Sequence, residues 1–164
     1  MQHRDELAFT TRQATWRDEA FLGQMLWIAT HWRDPPGPGR VIPSEPSRYT
    51  DGFGRRGDHG LIATWGASPV GAAWCRLLIA PNGGYGYLAD DIPELSLAVL
   101  PQYRGKGVGS ELLVQLLAES MGVFDAVSLS VEPDNPAVAM YERLGFTKVG
   151  EIQGSWTMSK PLTP

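Results

Sequence analysis

A chain of 164 residues with 43% hydrophobic and 20% charged side chains has apolar material for one globular domain, and is neither fibrous nor wholly disordered in composition. Its formal net charge of −4 argues against a general nucleic-acid binder, which neutralises phosphates with an excess of Lys and Arg. The single cysteine, Cys75, excludes an internal disulfide and a cysteine cluster for a metal, and no run approaches the ~20 apolar residues of a membrane span. The charged start Met1-Gln2-His3-Arg4-Asp5-Glu6 lacks a signal-peptide core, so the expectation is one domain over 1–164, cytoplasmic, with no metal, nucleic-acid or membrane partner.

Leu7 to Thr15 reads as a first strand, and Asp18 to about His31 as a helix with Phe21, Leu22, Met25, Leu26 and Ile28 near helical spacing. Arg33 to Gly60 carries five prolines and six glycines, among them Pro35, Pro36, Gly37 and Pro38, which rules out a long helix and leaves room for a short one at Pro46–Thr50. A loop this long serves either as a lid over a site or as a surface excursion. Leu61–Trp65 and Val70–Ile79 form a hairpin about Gly66-Ala67-Ser68-Pro69, with Cys75 reading as a buried thiol in its second strand. After the turn-rich Pro81-Asn82-Gly83-Gly84, Glu94–Leu100 alternates as a strand and stops at Pro101. Gly107–Met121 is the clearest helix, striped by Val108, Leu112, Leu113, Leu116 and Leu117. Ala126–Val131 is a strand, Asn135-Pro136 opens a short helix that ends at Gly145, and strands near Phe146–Val149 and Trp156–Met158 follow. A hairpin followed by strand–helix–strand is a mixed α/β (α+β) order, in which the strand–helix–strand unit makes a parallel pair with a right-handed crossover.

The segment Arg104-Gly105-Lys106-Gly107-Val108-Gly109-Ser110 stands between a strand and an amphipathic helix. Alternate glycines let backbone N–H groups approach a ligand, the helix start carries free donors and partial positive charge, and Arg104 and Lys106 add full charges. The spacing of a Walker loop is absent. A dinucleotide loop fits at Gly105 and Gly107 but has Ser110 where its last glycine belongs, with Glu132 as the ribose-binding acid. The pattern Arg/Gln-x-x-Gly-x-Gly/Ala is met in full by Arg104, Gly107 and Gly109. Asn135 before Pro136 reads as a helix N-cap, and Tyr141 shares an inward helix face with Ala137, Met140 and Leu144.

The stretch from Leu97 to Gly109 resembles the acetyl-CoA motif of the GNAT superfamily, and Leu129 to Phe146, with Asn135, Tyr141 and Gly145-Phe146, resembles its later motif. The resemblance covers roughly the C-terminal half. It implies a GNAT-like fold: a central, mostly antiparallel mixed sheet with a splayed parallel strand pair, flanked by helices. It implies acetyl-CoA as donor, seated in the splay between Glu94–Leu100 and Ala126–Val131. Backbone groups around Leu97, Ala98 and Val99 would hold the pantetheine arm, Leu97 N–H would polarise the thioester carbonyl, and the diphosphate would rest on residues 104–110. By the same resemblance Asn135 contacts the cofactor, as an alternative or addition to capping, and Tyr141 protonates the leaving thiolate. Glu94 is the candidate base for the acceptor amine, with Glu132 behind it; Ser96 and Ala98 share the face of Glu94. The acceptor, a small amine, a peptide N-terminus or a lysine, would enter near Trp27, Trp32, Tyr49 and Phe53, and a homodimer is open. Direct transfer in a ternary complex is expected, because no activated nucleophile is evident. A non-catalytic acyl-CoA or nucleotide-binding module is the alternative, disfavoured by the presence of both Tyr141 and Glu94; a dinucleotide-dependent oxidoreductase suffers from Ser110.

Overall fold

The computed structural model describes residues 8–163. Leu7, where the first strand was expected to begin, lies outside them. The described strands are β1 (Thr10–Gln13), β2 (His59–Trp65), β3 (Ser68–Arg76), β4 (Glu94–Val99), β5 (Ala126–Val131), β6 (Thr147–Ile152) and β7 (Ser155–Pro161). The α-helices are α1 (Glu19–Thr30), α2 (Val108–Ser120) and α3 (Ala137–Arg143). The strands form one sheet in the order β1-β2-β3-β4-β5-β7-β6. Every pairing is antiparallel except β4 with β5, joined through α2.

Two cores follow from the two-residue period of the central strands. Leu61, Ala63, Ala73 and Cys75 point to one face, where the stripe Val108, Leu112, Leu113, Leu116 of α2 covers them. Their neighbours Ile62, Ala72 and Trp74 point to the other face, against Leu22, Met25 and Ile28 of α1. β3 is therefore buried along most of its length, as a strand covered on both sides must be. A reciprocal capping box of Thr15 and Asp18 starts the turn ahead of α1, and Arg12 clamps the Asp18 carboxylate at 2.7 Å.

The proline- and glycine-rich segment between α1 and β2 has no helix at Pro46–Thr50; successive turns bond Thr50 N and Asp51 N to Ser47 O, and Phe53 N to Thr50 O. A buried ion pair anchors it. Arg76, at the end of β3 and fully buried, binds Asp58 through Nε and Nη2 at 3.1 and 2.8 Å, and Nη1 donates to the carbonyls of Asp51 and Arg48 at 2.7 and 3.1 Å. An arginine can be buried here because its charge is matched and these donors have acceptors. Residues 48–58 are thereby tied to the sheet.

Candidate active site

β4 and β5 pair at one register position, at the start of β4 and the middle of β5. Glu94 is opposite Ser128, and Ser128 N donates to Pro93 O at 3.0 Å; beyond that the strands part. Pro93 O faces β5, whereas Leu100 N donates to Val70 O on the β3 side. Backbone groups alternate in direction along a strand, so those of Leu95, Leu97 and Val99 point into the opening. Ala98 turns its own backbone toward β3 and lines the opening with its methyl group.

A cleft of about 1070 Å³ runs through this gap from one face of the sheet to the other. At one end Gly105, Gly107, Val108, Gly109 and Ser110 line it, together with Arg104. Gly105 (φ 74°) and Gly107 (φ 83°) occupy the left-handed region, and a Cβ on either would enter open space. The first intrahelical bond of α2 runs from Glu111 N to Gly107 O, leaving the amides of Val108, Gly109 and Ser110 without an intrahelical acceptor, and no side chain caps the helix. Burial lowers the Arg104 pKa below its ordinary value, and no carboxylate pairs with it among the described residues. Such a cradle of unsatisfied donors beside a partly desolvated guanidinium fits a diphosphate. Lys106, also expected to bind the cofactor, does not line the cleft; it is exposed, with its ammonium 5.8 Å from the centre of the Trp65 ring.

On the wall, Tyr141 is buried and packs edge-on against Phe146 at 5.6 Å, and burial pushes its phenol well above the ordinary value, keeping it protonated. Asn135 also lines the cleft, and its Oδ1 accepts from the first amide of α3, Ala137 N, at 2.9 Å. Its amide nitrogen is not needed for that bond.

At the other end lies Glu94, 2% exposed. Oε2 accepts from Gly84 N at 2.9 Å; Oε1 accepts from Gly86 N at 2.9 Å and from the Tyr49 hydroxyl at 3.4 Å. Burial raises its carboxyl pKa, opposed by the two amide bonds. The Tyr49 phenol is pushed up to about 12, by burial first and by the Glu94 charge second. Glu132 is held instead by Arg33, which reaches it at 2.7 Å and Asp134 at 2.5 Å. Of the aromatics expected near an acceptor, Trp32 and Tyr49 line the cleft, Trp27 stacks on His31 at 3.8 Å, and Phe53 belongs to the core under α1. Cys75 is buried, its thiol pushed up to about 12 by desolvation, which removes it as a nucleophile. Tyr85, Arg33 and the β6–β7 hairpin tip at Gln153 also border the cleft; no local motif marks them, because each reaches it through the fold.

The model of the acetyltransferase (GNAT) family matches residues 25–146. The chain belongs to the GNAT family. This GNAT chain is 35% identical over 78 residues to an N-alpha-acetyltransferase of Saccharolobus solfataricus, covering 42% of the chain and 47% of that protein. It is 30% identical over 146 residues to a mycothiol acetyltransferase of Thermobispora bispora, covering 84% and 46%. The match thus spans a little under half the length of each of these relatives. In fold, the GNAT chain is similar to yncA of Salmonella typhimurium, whose structure contains its cofactor acetyl-CoA, with a TM-score of 0.63, 23% identity and 94% of both chains covered. The mixed sheet with one parallel, splayed pair and three α-helices is the GNAT-like architecture expected from the sequence.

Proposed function

We propose that this GNAT chain is an acetyl-CoA-dependent N-acetyltransferase that acts on a primary amine by direct attack in a ternary complex. One observation carries the reading: a single cleft connects the donor cradle at α2 with a buried carboxylate on the opposite face of the sheet, and Tyr141 lies on its wall. A phosphate site and a titratable group at two ends of one passage suit two substrates meeting in the middle.

Bound acetyl-CoA supplies an acetyl group activated as a thioester. The amides from Gly105 to Ser110 and the Arg104 guanidinium hold the diphosphate. The outward backbone groups of Leu97 and Val99 take the pantetheine arm as a sheet edge takes an added strand, and Leu97 N–H polarises the thioester carbonyl. Asn135 contributes its free amide nitrogen beside the arm. Glu94 takes a proton from the incoming ammonium, which at a lysine-like pKa of ~10.4 is otherwise protonated and cannot attack. Tyr141, kept protonated by burial, donates its phenolic proton at the departing sulfur.

Thermal unfolding with acetyl-CoA, CoA, NAD and ATP tests the donor. Acetyl-CoA at 100 times its dissociation constant stabilises the protein by ~2.7 kcal/mol. Stabilisation by NAD with no response to either CoA species overturns the reading. Binding of acetyl-CoA with no thiol release across a panel of primary amines points to a binding module of the same fold.

A further inference from the structure

The Glu94 end of the cleft has a chemistry of its own. We propose that it receives a monoamine carried on an apolar body, with Glu94 meeting the ammonium and Tyr49 holding Glu94 in position. The proposal rests on the acetyltransferase reading and deepens it by naming the acceptor class.

Charge accounts for the monoamine. The charged side chains lining the cleft are Arg33, Glu94, Arg104 and Glu132. Arg104 stands at the diphosphate end, and Arg33 is shared between Glu132 and Asp134 just outside, both of them surface carboxylates. Glu94 is left as the one lining carboxylate that no cation pairs with among the described residues. A carboxylate accepts at about four positions. Gly86 N and the Tyr49 hydroxyl take those of Oε1 and Gly84 N takes one of Oε2, which leaves one position on Oε2 without a partner among the described residues, the one assigned here to the ammonium. A polyamine would need a second unpaired carboxylate in the lining, and the other one there, Glu132, already holds Arg33.

Surface accounts for the apolar body. Leu26, Ala29 and Trp32 line the same cleft, and Tyr49 stands against Glu94 itself. At the mouth, Tyr85 is 55% exposed and Ile152 41% exposed, so two large apolar side chains face solvent where an acceptor enters. A polar amine would leave them wet.

Tyr49 is held in register from three sides. Trp74 Nε1 donates to its carbonyl at 2.9 Å, Tyr85 N donates to its hydroxyl at 2.8 Å, and the buried Arg76 grips the carbonyls of Arg48 and Asp51 on either side of it. A Cβ on Gly84 would collide with both the Tyr49 hydroxyl and Glu94 Oε1, so the glycine is what allows the pair to close against that loop. The titratable and charged groups facing Glu94 are Tyr49 and Arg48; the 84–86 loop gives it amides, and from β5 Ser128 bonds Gly86 O.

The test is calorimetric binding of three amines to the protein saturated with CoA: 2-phenylethylamine, ethanolamine and spermidine. 2-Phenylethylamine is expected to bind about tenfold or more tightly than either of the others, from the apolar area it buries. Glu94→Gln weakens it about tenfold or more by removing the charge that meets the ammonium, with CoA binding retained as the sign of an intact fold. Tyr49→Phe removes a donor to the carboxylate, which raises the Glu94 pKa, so the acid limb of 2-phenylethylamine binding moves to higher pH; a purely structural tyrosine would leave that limb in place. Equal or tighter binding of ethanolamine or spermidine, no amine binding at all, or unchanged binding in a folded Glu94→Gln overturns the proposal. The ranking is read on the unaltered protein and stands even if a variant fails to fold. Failure of CoA itself to bind would sink the acetyltransferase reading, and this proposal with it; CoA binding without the ranking sinks this proposal alone.

Discussion

Tyr141 and Glu94 are both buried, and burial favours the protonated form of each. For the phenol that is the form the proposed proton donor needs; for the carboxyl burial raises the pKa above its ordinary value, opposed by the bonds from Gly84 and Gly86. Tyr141→Phe keeps the ring packed on Phe146 and removes only the hydroxyl. Turnover is expected to fall ~10²–10⁴-fold while acetyl-CoA affinity stays within about twofold, read by thiol release and by equilibrium binding. Equal turnover per bound complex would make Tyr141 a packing residue. Gly107 is decided by backbone geometry. At φ 83° a β-branched side chain is strained, and it would project into the open space over the uncapped amides of α2. Gly107→Val is therefore expected to lose the thermal stabilisation by acetyl-CoA; an unchanged shift would contradict the diphosphate cradle.

Elements place these groups. α2 presents its donors to the cleft because β4 ends at Val99, ahead of Pro101, and the turn that follows contains two left-handed glycines. The segment between α1 and β2 has neither helix nor strand, yet it carries Tyr49 to Glu94, because Arg76 and Asp58 fasten it to β3. Arg76→Ala leaves Asp58 as an uncompensated buried charge and frees the carbonyls of Arg48 and Asp51. A loss of ~3–5 kcal/mol is expected, read from the midpoint of urea unfolding. A loss under about 1 kcal/mol would mean that the pair is dispensable and that the segment is held by other contacts, since that is the range of exposed ion pairs.

At the scale of the whole molecule, the sheet brings together groups far apart in the chain. Arg33 meets Glu132, Tyr49 meets Glu94, and the hairpin after β6 borders the same opening. Much was legible beforehand. The apolar stripe of Gly107–Met121 became α2, Ala126–Val131 became β5 with the same limits, and the alternation of Glu94–Leu100 became β4. Local patterns of this kind reflect periodicity and backbone chemistry, which neighbouring residues carry among themselves. The expected cofactor residues, Lys106 apart, line one cleft with Tyr141 and Glu94, because strand, glycine loop and helix are consecutive in the chain.

The sequence by itself determined the helix with its glycine-rich turn, the order of elements around it and the family they resemble, since all of these are written in contiguous residues. Only the tertiary structure decided that Lys106 turns away to Trp65, that Glu132 is consumed by Arg33, and that Tyr49 rather than Trp27 or Phe53 stands beside Glu94. Those outcomes depend on which buried charge finds a partner and which aromatic finds a core. Long-range burial and pairing settle such choices, and no local pattern encodes them.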